Sequence, residues 1–284
     1  MLNRPSVRVL ADVDARAVLE LCDRDPVANV FVAGRVETVG ADPRRLGGQL
    51  WGYYERGTLV SACWAGANLV PVQATPAAVQ AFADKAVAYG RRCSSVVGPA
   101  DAVLGLWRLL TSSWGVAREV RAVQPLMVLD TDSPYPPDPR VRFSTRADLD
   151  LLLPACIAMF TEEVGYSPVL GDTTGSYAAR VGQLVEGRRS FVRIDEEADG
   201  PRIVFKAELG ALSRRVAQVQ GVWVDPRHRG LALSAPGMAA VVAATRREVV
   251  PVVSLYVNEY NDRALAAYRR AGFHRAGTFA TVLF

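Results

Sequence analysis

The sequence predicts an α/β protein of two tandem domains, each a twisted mixed β-sheet flanked by helices. Three observations carry that prediction. A chain of 284 residues, 50% of them hydrophobic, is long for one core and comfortable for two. The segment TDSPYPPDP, Thr131 to Pro139, is rich in proline, which has no N–H for a strand ladder and blocks helix propagation. It reads as an extended linker, so the expected units are residues 1–130, a linker at 131–140 and residues 141–284. Beyond it the chain restarts: VRVLADVDARAVLELC from Val7 and VRFSTRADLDLLLPAC from Val141 each give a short strand, an acidic helix start and an apolar helix.

The remaining elements follow in order. NLVPV, Asn68 to Val72, reads as a strand that runs through QATP straight into the helix AAVQAFADKAVAYGRR, with neither glycine nor a basic residue at the turn. LGLWRLLTSSWGVARE then gives a helix and an aromatic-and-glycine turn before a last strand, VRAVQPLMVL. In the second half IVFKAEL and AQVQGVWV, Ala217 to Val224, have strand composition, and Asp225-Pro226 stops the second of them. The helix GMAAVVAATRREV follows with apolar residues at i, i+3 and i+4; Ser234 suits its N-cap and Pro236 its first turn. RALAAYRRAGFHRAG and TFATVLF close the second half as the first half closes.

Composition excludes several classes. Lys+Arg number 33 against 29 Asp+Glu, a net charge of +4 that is spread along the chain, so nucleic acid is not an expected partner. Cys22, Cys63, Cys93 and Cys156 form no CxxC pair and the only histidines are His228 and His274, which argues against a metal site. The apolar settings of Cys22, Cys63 and Cys156 suit reduced, buried thiols. No signal-like N-terminus and no stretch of about 18 apolar residues is present, so a cytoplasmic protein without membrane association is expected.

The junction VWVDPRHRGLALSAPG, Val222 to Gly237, leads from a strand through a compact loop into a helix N-terminus. Free N–H groups and the helix dipole there favour a phosphate or pyrophosphate. Arg227 and Arg229 would add charge, and Gly230, Ala232 and Ser234 are small enough to let an anion reach the backbone. The loop is not a P-loop, a Rossmann fingerprint or a nucleophile elbow, since GK[ST], GxGxxG and GxSxG are absent.

At this point the chain resembles the GNAT superfamily of acyl-CoA-dependent N-acyltransferases, specifically the actinobacterial tandem-GNAT type with a degenerate N-terminal half. In that family a strand ending V-x-V-x-P precedes R/Q-x-x-G-x-G/A, whose amides bind the coenzyme A pyrophosphate. The resemblance places this role on Arg229, Gly230, Leu231, Ala232, Leu233 and Ser234, with Ala232 and Ser234 standing where glycine or another small residue is usual. NEYNDRALAAYRRAGF, Asn258 to Phe273, is similar to the second family motif. It implies that Asn258 and Asn261 touch the pantetheine arm or fix the loop, and that Tyr268 lies near the thioester sulfur as general acid. The backbone of Val222, Trp223 and Val224 would pair with pantetheine. The resemblance thus implies acetyl-CoA as cosubstrate and direct transfer to a primary amine, on a small molecule or a protein.

The amine must lose a proton, and a lysine-like amine has a pKa near 10.4, so a base is required. Many GNAT proteins carry a carboxylate where this chain has Gln218. Glu208 is the first choice to replace it, with Glu162, Glu163 and the C-terminal carboxylate of Phe284 as alternatives. His228 reads as an exposed polar residue, Trp223 as packing, Asp225 as a loop cap and Arg246-Arg247 as complements to a helix C-terminus. No residue is framed as an acyl-enzyme nucleophile. Two rivals stand beside the enzyme: a non-catalytic acyl-CoA sensor and a ligand-free structural module.

Overall fold

The computed structural model describes residues 6–284. The first half runs β1 Ser6–Val9, α1 Ala15–Cys22, α2 Val30–Val39, α3 Pro43–Leu46, β2 Gln49–Glu55, β3 Thr58–Ala65, β4 Asn68–Val72, α4 Pro76–Tyr89, β5 Ser95–Pro99, α5 Ala100–Trp114 and β6 Glu119–Leu129. The second runs β7 Arg142–Phe143, α6 Leu149–Val164, α7 Ser176–Glu186, β8 Ser190–Glu197, β9 Gly200–Leu212, β10 Val216–Val224, α8 Ser234–Glu248, β11 Val252–Tyr256, α9 Asp262–Arg270 and β12 His274–Leu283. Apart from the short α3, the two halves have the same element order, as the restart at Val141 predicts.

Both halves open on the same electrostatic device. Arg8 grips Asp14 through two bonds of 3.0 and 2.6 Å, and Asp14 accepts the Ala11 amide at 2.9 Å. Arg142 grips Asp148 at 2.8 and 2.9 Å, and Asp148 accepts the Thr145 amide at 2.6 Å. Each carboxylate ties the first strand to the first helical turn, satisfying amides that a helix start leaves open. Both Asp14 and Asp148 are held below the usual carboxylate range, Asp148 at about 2, with Arg142 the leading cause.

The strands form one continuous sheet in the order β1-β2-β3-β4-β5-β12-β6-β11-β10-β9-β8-β7. Its centre is an exchange. β6, the last strand of the first half, pairs antiparallel with β11 of the second, Leu129 opposite Val253 and Leu126 opposite Tyr256. β12, the last strand of the second half, pairs with β5 of the first, from Phe279 opposite Pro99 to Leu283 opposite Ser95. β6 and β12 then pair with each other along the middle of the sheet. The sequence reading placed a strand at TFATVLF; β12 starts earlier, at His274, because it must reach across both neighbours.

Helices cover both faces. Phe205, Leu209, Val219, Leu255 and the strand ends pack on Met238, Val241 and Val242 of α8 and Leu265 and Tyr268 of α9. Ile203, Val192 and Trp223 pack on Leu152, Cys156 and Val181 of α6 and α7 on the opposite face. A smaller cluster of Val30 from α2 with Ala211 and Val216 docks the first half on the second. Each such fully buried side chain contributes about 1.5–3 kcal/mol. The four cysteines are free and buried, and burial pushes the Cys22 thiol up to about 12, which leaves it inert as a nucleophile at neutral pH. Among the described residues no helix is long and apolar enough to cross a membrane.

Candidate active site

The site begins where β10 and β11 part. They run parallel and pair only at Val216–Val252, Ala217–Val253 and Gln218–Ser254. From Val219 onward β10 follows β9 alone, and β11 follows β6. A bulge at Gln220–Gly221 on β10, with Gly221 at φ 58, produces the separation. It also resets the alternation: Val219 and then Val222 and Val224 face α8 and α9, while Trp223 turns to α6. The edge of β10 along Val222–Val224 is therefore open to an extended ligand, in the manner of an added strand.

At the end of that edge lies the loop into α8. Asp225 accepts the Arg227 amide at 2.8 Å and caps the turn, as expected. The amides of Gly230, Ala232, Leu233, Ser234 and Ala235 have no acceptor among the described residues. Gly230, at φ 84, has nothing within 4 Å of a would-be Cβ, so the approach is open. Ala232 stands at φ 55, a left-handed conformation that glycine adopts more easily. Ser234 is not the N-cap: it is the first helical residue, and Leu233 occupies the cap position with no side chain able to accept, which leaves the first-turn amides free. The corresponding start of α4 is closed. There Thr75 accepts the Ala78 amide at 3.2 Å and Pro76 has none to offer.

The two guanidiniums expected to face an anion are engaged instead. Arg227 pairs with Glu197 at 2.8 Å and with Asp199 and Asp225 beyond it. Arg229 reaches back to Glu162 at 2.6 Å and donates to the Val224 carbonyl. His228 lies 2.9 Å from Glu197 and 3.5 Å from Asp225, a bridge that fixes the loop rather than a free base.

On the other bank, Asn258 follows β11 and accepts from Gln124 of β6 at 2.8 Å, while Gln124 accepts from Thr281 of β12 at 2.6 Å. Asn261 caps α9 by accepting the Ala264 amide at 3.2 Å, which ties the loop after β11 to the helix start. Tyr268 packs edge-on to Phe273, and its hydroxyl has no hydrogen-bond partner among the described residues, although it is not among the fully enclosed orphaned atoms. Burial, reinforced by the nearby Glu163 charge, raises its pKa and keeps it protonated.

Residues 186–273 match the acetyltransferase (GNAT) family. The second half carries a GNAT acetyltransferase domain. Residues 48–152 match a domain of unknown function, DUF4081. The GNAT fold extends over the whole chain. A Drosophila protein is similar at TM-score 0.64 and 15% identity over 98% of each chain, and a GNAT acetyltransferase from Colwellia psychrerythraea at 0.57 and 12%, over 98% of this chain and 99% of its own. A tandem GNAT protein from the clavulanic acid biosynthesis pathway is similar at 0.54 and 15% over 98% of each. No curated protein matches the sequence.

The carboxylates considered as bases of the GNAT domain lie in different settings. Glu208 is buried, not a surface charge: Gln220 donates to it at 2.8 Å, Lys206 lies 3.7 Å away and Arg180 3.8 Å. Lys206, with no exposure, donates to the Gly221 carbonyl at 3.0 Å and so braces the bulge. Glu162 holds Arg229 and accepts from the Trp223 indole at 3.4 Å. Glu163 lies 3.6 Å from Arg121 of β6. The Phe284 ring is packed among Trp107, Trp114 and Arg91 in the first half, which draws the chain end away from the splayed strands.

A cavity of about 510 Å³ opens on the face opposite α8 and α9, between the two halves. Gln218, Gln220 and Tyr256 line it at the point of splay, facing Asn68, Val97 and Gly98 of β4 and β5. Sequence reading missed Tyr256, whose pKa burial also raises. The only signal was alternation: Val253 and Leu255 face the α8–α9 core, which turns Ser254 and Tyr256 to the other side. A second recess of about 690 Å³ runs along the proline-rich segment, but Arg193 there is already held by Asp138 and Asp195.

Proposed function

We propose that the protein moves an acetyl group from acetyl-CoA to a primary amine by direct attack in a ternary complex. The observation that carries this reading is the open β10 edge ending in the unpaired amides of Gly230, Ala232, Leu233 and Ser234. A pantetheine arm has the extended shape and amide spacing for such an edge, and a pyrophosphate suits such a cradle. Asn258 and Asn261 shape the facing bank, and the orphaned amide of Gln218 offers a donor at the splay.

In this reading Glu208 draws the proton from the attacking amine through a water at the cavity wall, while Gln220 donates to the carboxylate and holds it in place. The bulge amides around Gly221 polarise the thioester carbonyl. Tyr268 donates a hydrogen bond to the sulfur as the tetrahedral intermediate collapses. Its raised pKa lies above the roughly 8.5 of a thiol, so complete proton transfer to sulfur is uphill and hydrogen-bond donation is its natural contribution. The product amide and CoA then leave separately.

Thermal-shift titration with acetyl-CoA and free CoA tests the binding step, because a ligand of the folded state raises the melting point by mass action. A saturable shift with both, followed by CoA release in an amine panel, supports the enzyme. A saturable shift with no turnover of any amine favours the acyl-CoA sensor, the reading suggested by Ala232 at positive φ and by the Arg229–Glu162 pair across the loop.

A further inference from the structure

The acceptor class can be read from the cavity between the halves. Four arginines line it, Arg35 and Arg45 from the first half and Arg180 and Arg189 from the second, and none of its lining residues is acidic. Arg45 is paired with Asp12 at 2.9 Å, and Arg180 stands 3.8 Å from Glu208. Arg35 and Arg189 have no carboxylate partner among the described residues. Arg35 is clamped between the rings of Phe31 and Trp64, at 4.9 and 4.6 Å, and spends one N–H on the Leu46 carbonyl. Arg189 is pinned by the carbonyls of Leu209 and Gly210 at 2.9 and 2.8 Å.

Unlike surface arginines, these are held in place and partly desolvated, and both lie within reach of the Arg180 charge. Burial and the Arg180 charge both press on Arg35 and Arg189 in the same direction, lowering their pKa values. Four arginines gathered in a recess with only Asp12 and Glu208 near them as counterions are costly, and a bound anion reduces that cost. Gln218 adds an independent sign. It is 9% exposed, its Nε2 has no partner, and it lines the same cavity at the splay point of β10 and β11.

We propose that this cavity is the acceptor site and that it selects a small primary amine carrying an oxyanion, a carboxylate or a phosphate. Arg35, Arg180 and Arg189 hold the anion, and Gln218 orients the end of the acceptor nearest the splay. The volume suits a metabolite-sized molecule. A polyamine or an uncharged amine would meet the arginines without compensation. The proposal rests on the acyl-transfer reading for its chemistry, but its binding step does not.

The test uses the full chain with matched pairs that differ only in the anion: L-lysine against cadaverine and phosphoethanolamine against ethanolamine, with spermidine as a cationic control. Thiol release in the presence of acetyl-CoA reads turnover. Thermal shift with L-glutamate and with inorganic phosphate, without CoA, reads binding alone. The expected result is at least a tenfold preference in kcat/KM for the anionic member of one pair, which also tells carboxylate from phosphate. Arg180→Gln, at an exposed position, and Arg35→Lys should each weaken anion binding about 10- to 100-fold, the scale of one charged hydrogen bond, while leaving the acetyl-CoA shift unchanged. Preference for cadaverine, ethanolamine or spermidine overturns the proposal, as does a wild-type chain that gains no Arg180-dependent stabilisation from either anion. Loss of the acetyl-CoA shift in the wild type refutes the acyl-transfer reading instead, and leaves the anion-binding arm to be judged by itself.

Discussion

Gly34→Ala tests whether the two halves dock as described. Gly34 lies on α2 against β9, and a Cβ built there would sit 1.9 Å from the Leu212 carbonyl oxygen and 2.8 Å from its carbon. Contacts under 3.0 Å are essentially never seen for real Cβ atoms, and the obstacle is backbone, so α2 and β9 must separate by at least about 1 Å. That movement loosens Val30 from Ala211 and Val216 and alters a wall of the cavity, which Gly34 itself lines. Overpacking of this kind costs about 1–3 kcal/mol. Against it stands the helix propensity of alanine, worth up to about 1 kcal/mol over glycine. The expected net is a loss of about 1–2 kcal/mol, read as a lower urea midpoint with unchanged m-value, together with a raised KM for the acceptor and an unchanged acetyl-CoA shift. A Gly34→Ala protein as stable as wild type or more so would show that α2 does not touch β9, and the cavity argument would fall with it.

Other substitutions probe the site and the frame. Tyr268→Phe should lower kcat about 10- to 100-fold with little change in the acetyl-CoA shift; unchanged kcat would remove Tyr268 from the chemistry. Gln124→Leu strips Asn258 and Thr281 of a shared partner at a 3% exposed position, so a loss of about 1–3 kcal/mol and weaker acetyl-CoA binding are expected from denaturation and titration. Asp148, held at about 2 in the folded chain against 3.8 for the free group, adds stability that is complete above pH ~4 and disappears as pH falls toward ~2. With Arg142 half-exposed and screened, Asp148→Asn should cost about 1 kcal/mol at neutral pH and flatten the stability profile between pH ~4 and ~2; an unchanged acid limb would refute the assignment.

What the sequence made legible was local. The matching restarts at Val7 and Val141 announce the repeat because strand, acidic turn and helix are written in consecutive residues, down to the Arg–Asp pairs that lock them. The loop into α8 was legible for the same reason, since Pro226 ends a strand and small residues follow, but Ser234, read as the N-cap, is the first helical residue and the helix start is uncapped. The reading erred where partners come from afar. Arg227 and Arg229 carry charge in the sequence, but their carboxylates arrive from β8 and α6. Glu208 has the look of any strand carboxylate until Lys206, two residues away on the same face, and Gln220 from the next strand enclose it. Arg35 lies on α2, Arg180 on α7 and Arg189 in the turn before β8, and only the docking of α2 on β9 gives them a common cavity.

The exchange of last strands explains why a half without an anion cradle remains part of the site. β11 carries Tyr256 to the splay, yet its outer neighbour is β6 of the first half, and the residues after it hang from that strand: Val257 and Glu259 donate to Pro125 and Val123, and between them the Asn258 side chain accepts from Gln124. Arg121 on the same strand pairs with Glu163, whose charge adds to burial in raising the pKa values of Tyr268 and Tyr256. The closed start of α4, sealed by Thr75 and Pro76, shows that the first half has no second cradle to offer. On the acyl-transfer reading its contribution is instead the central strand that holds the bank of Tyr256 and Asn258, together with Arg35 on the facing wall of the cavity. A division of labour in which, as proposed, one half supplies the cradle and the other the neighbouring strand and part of the acceptor cavity requires that the halves share one sheet, and the β6–β12 seam is the element that makes them do so.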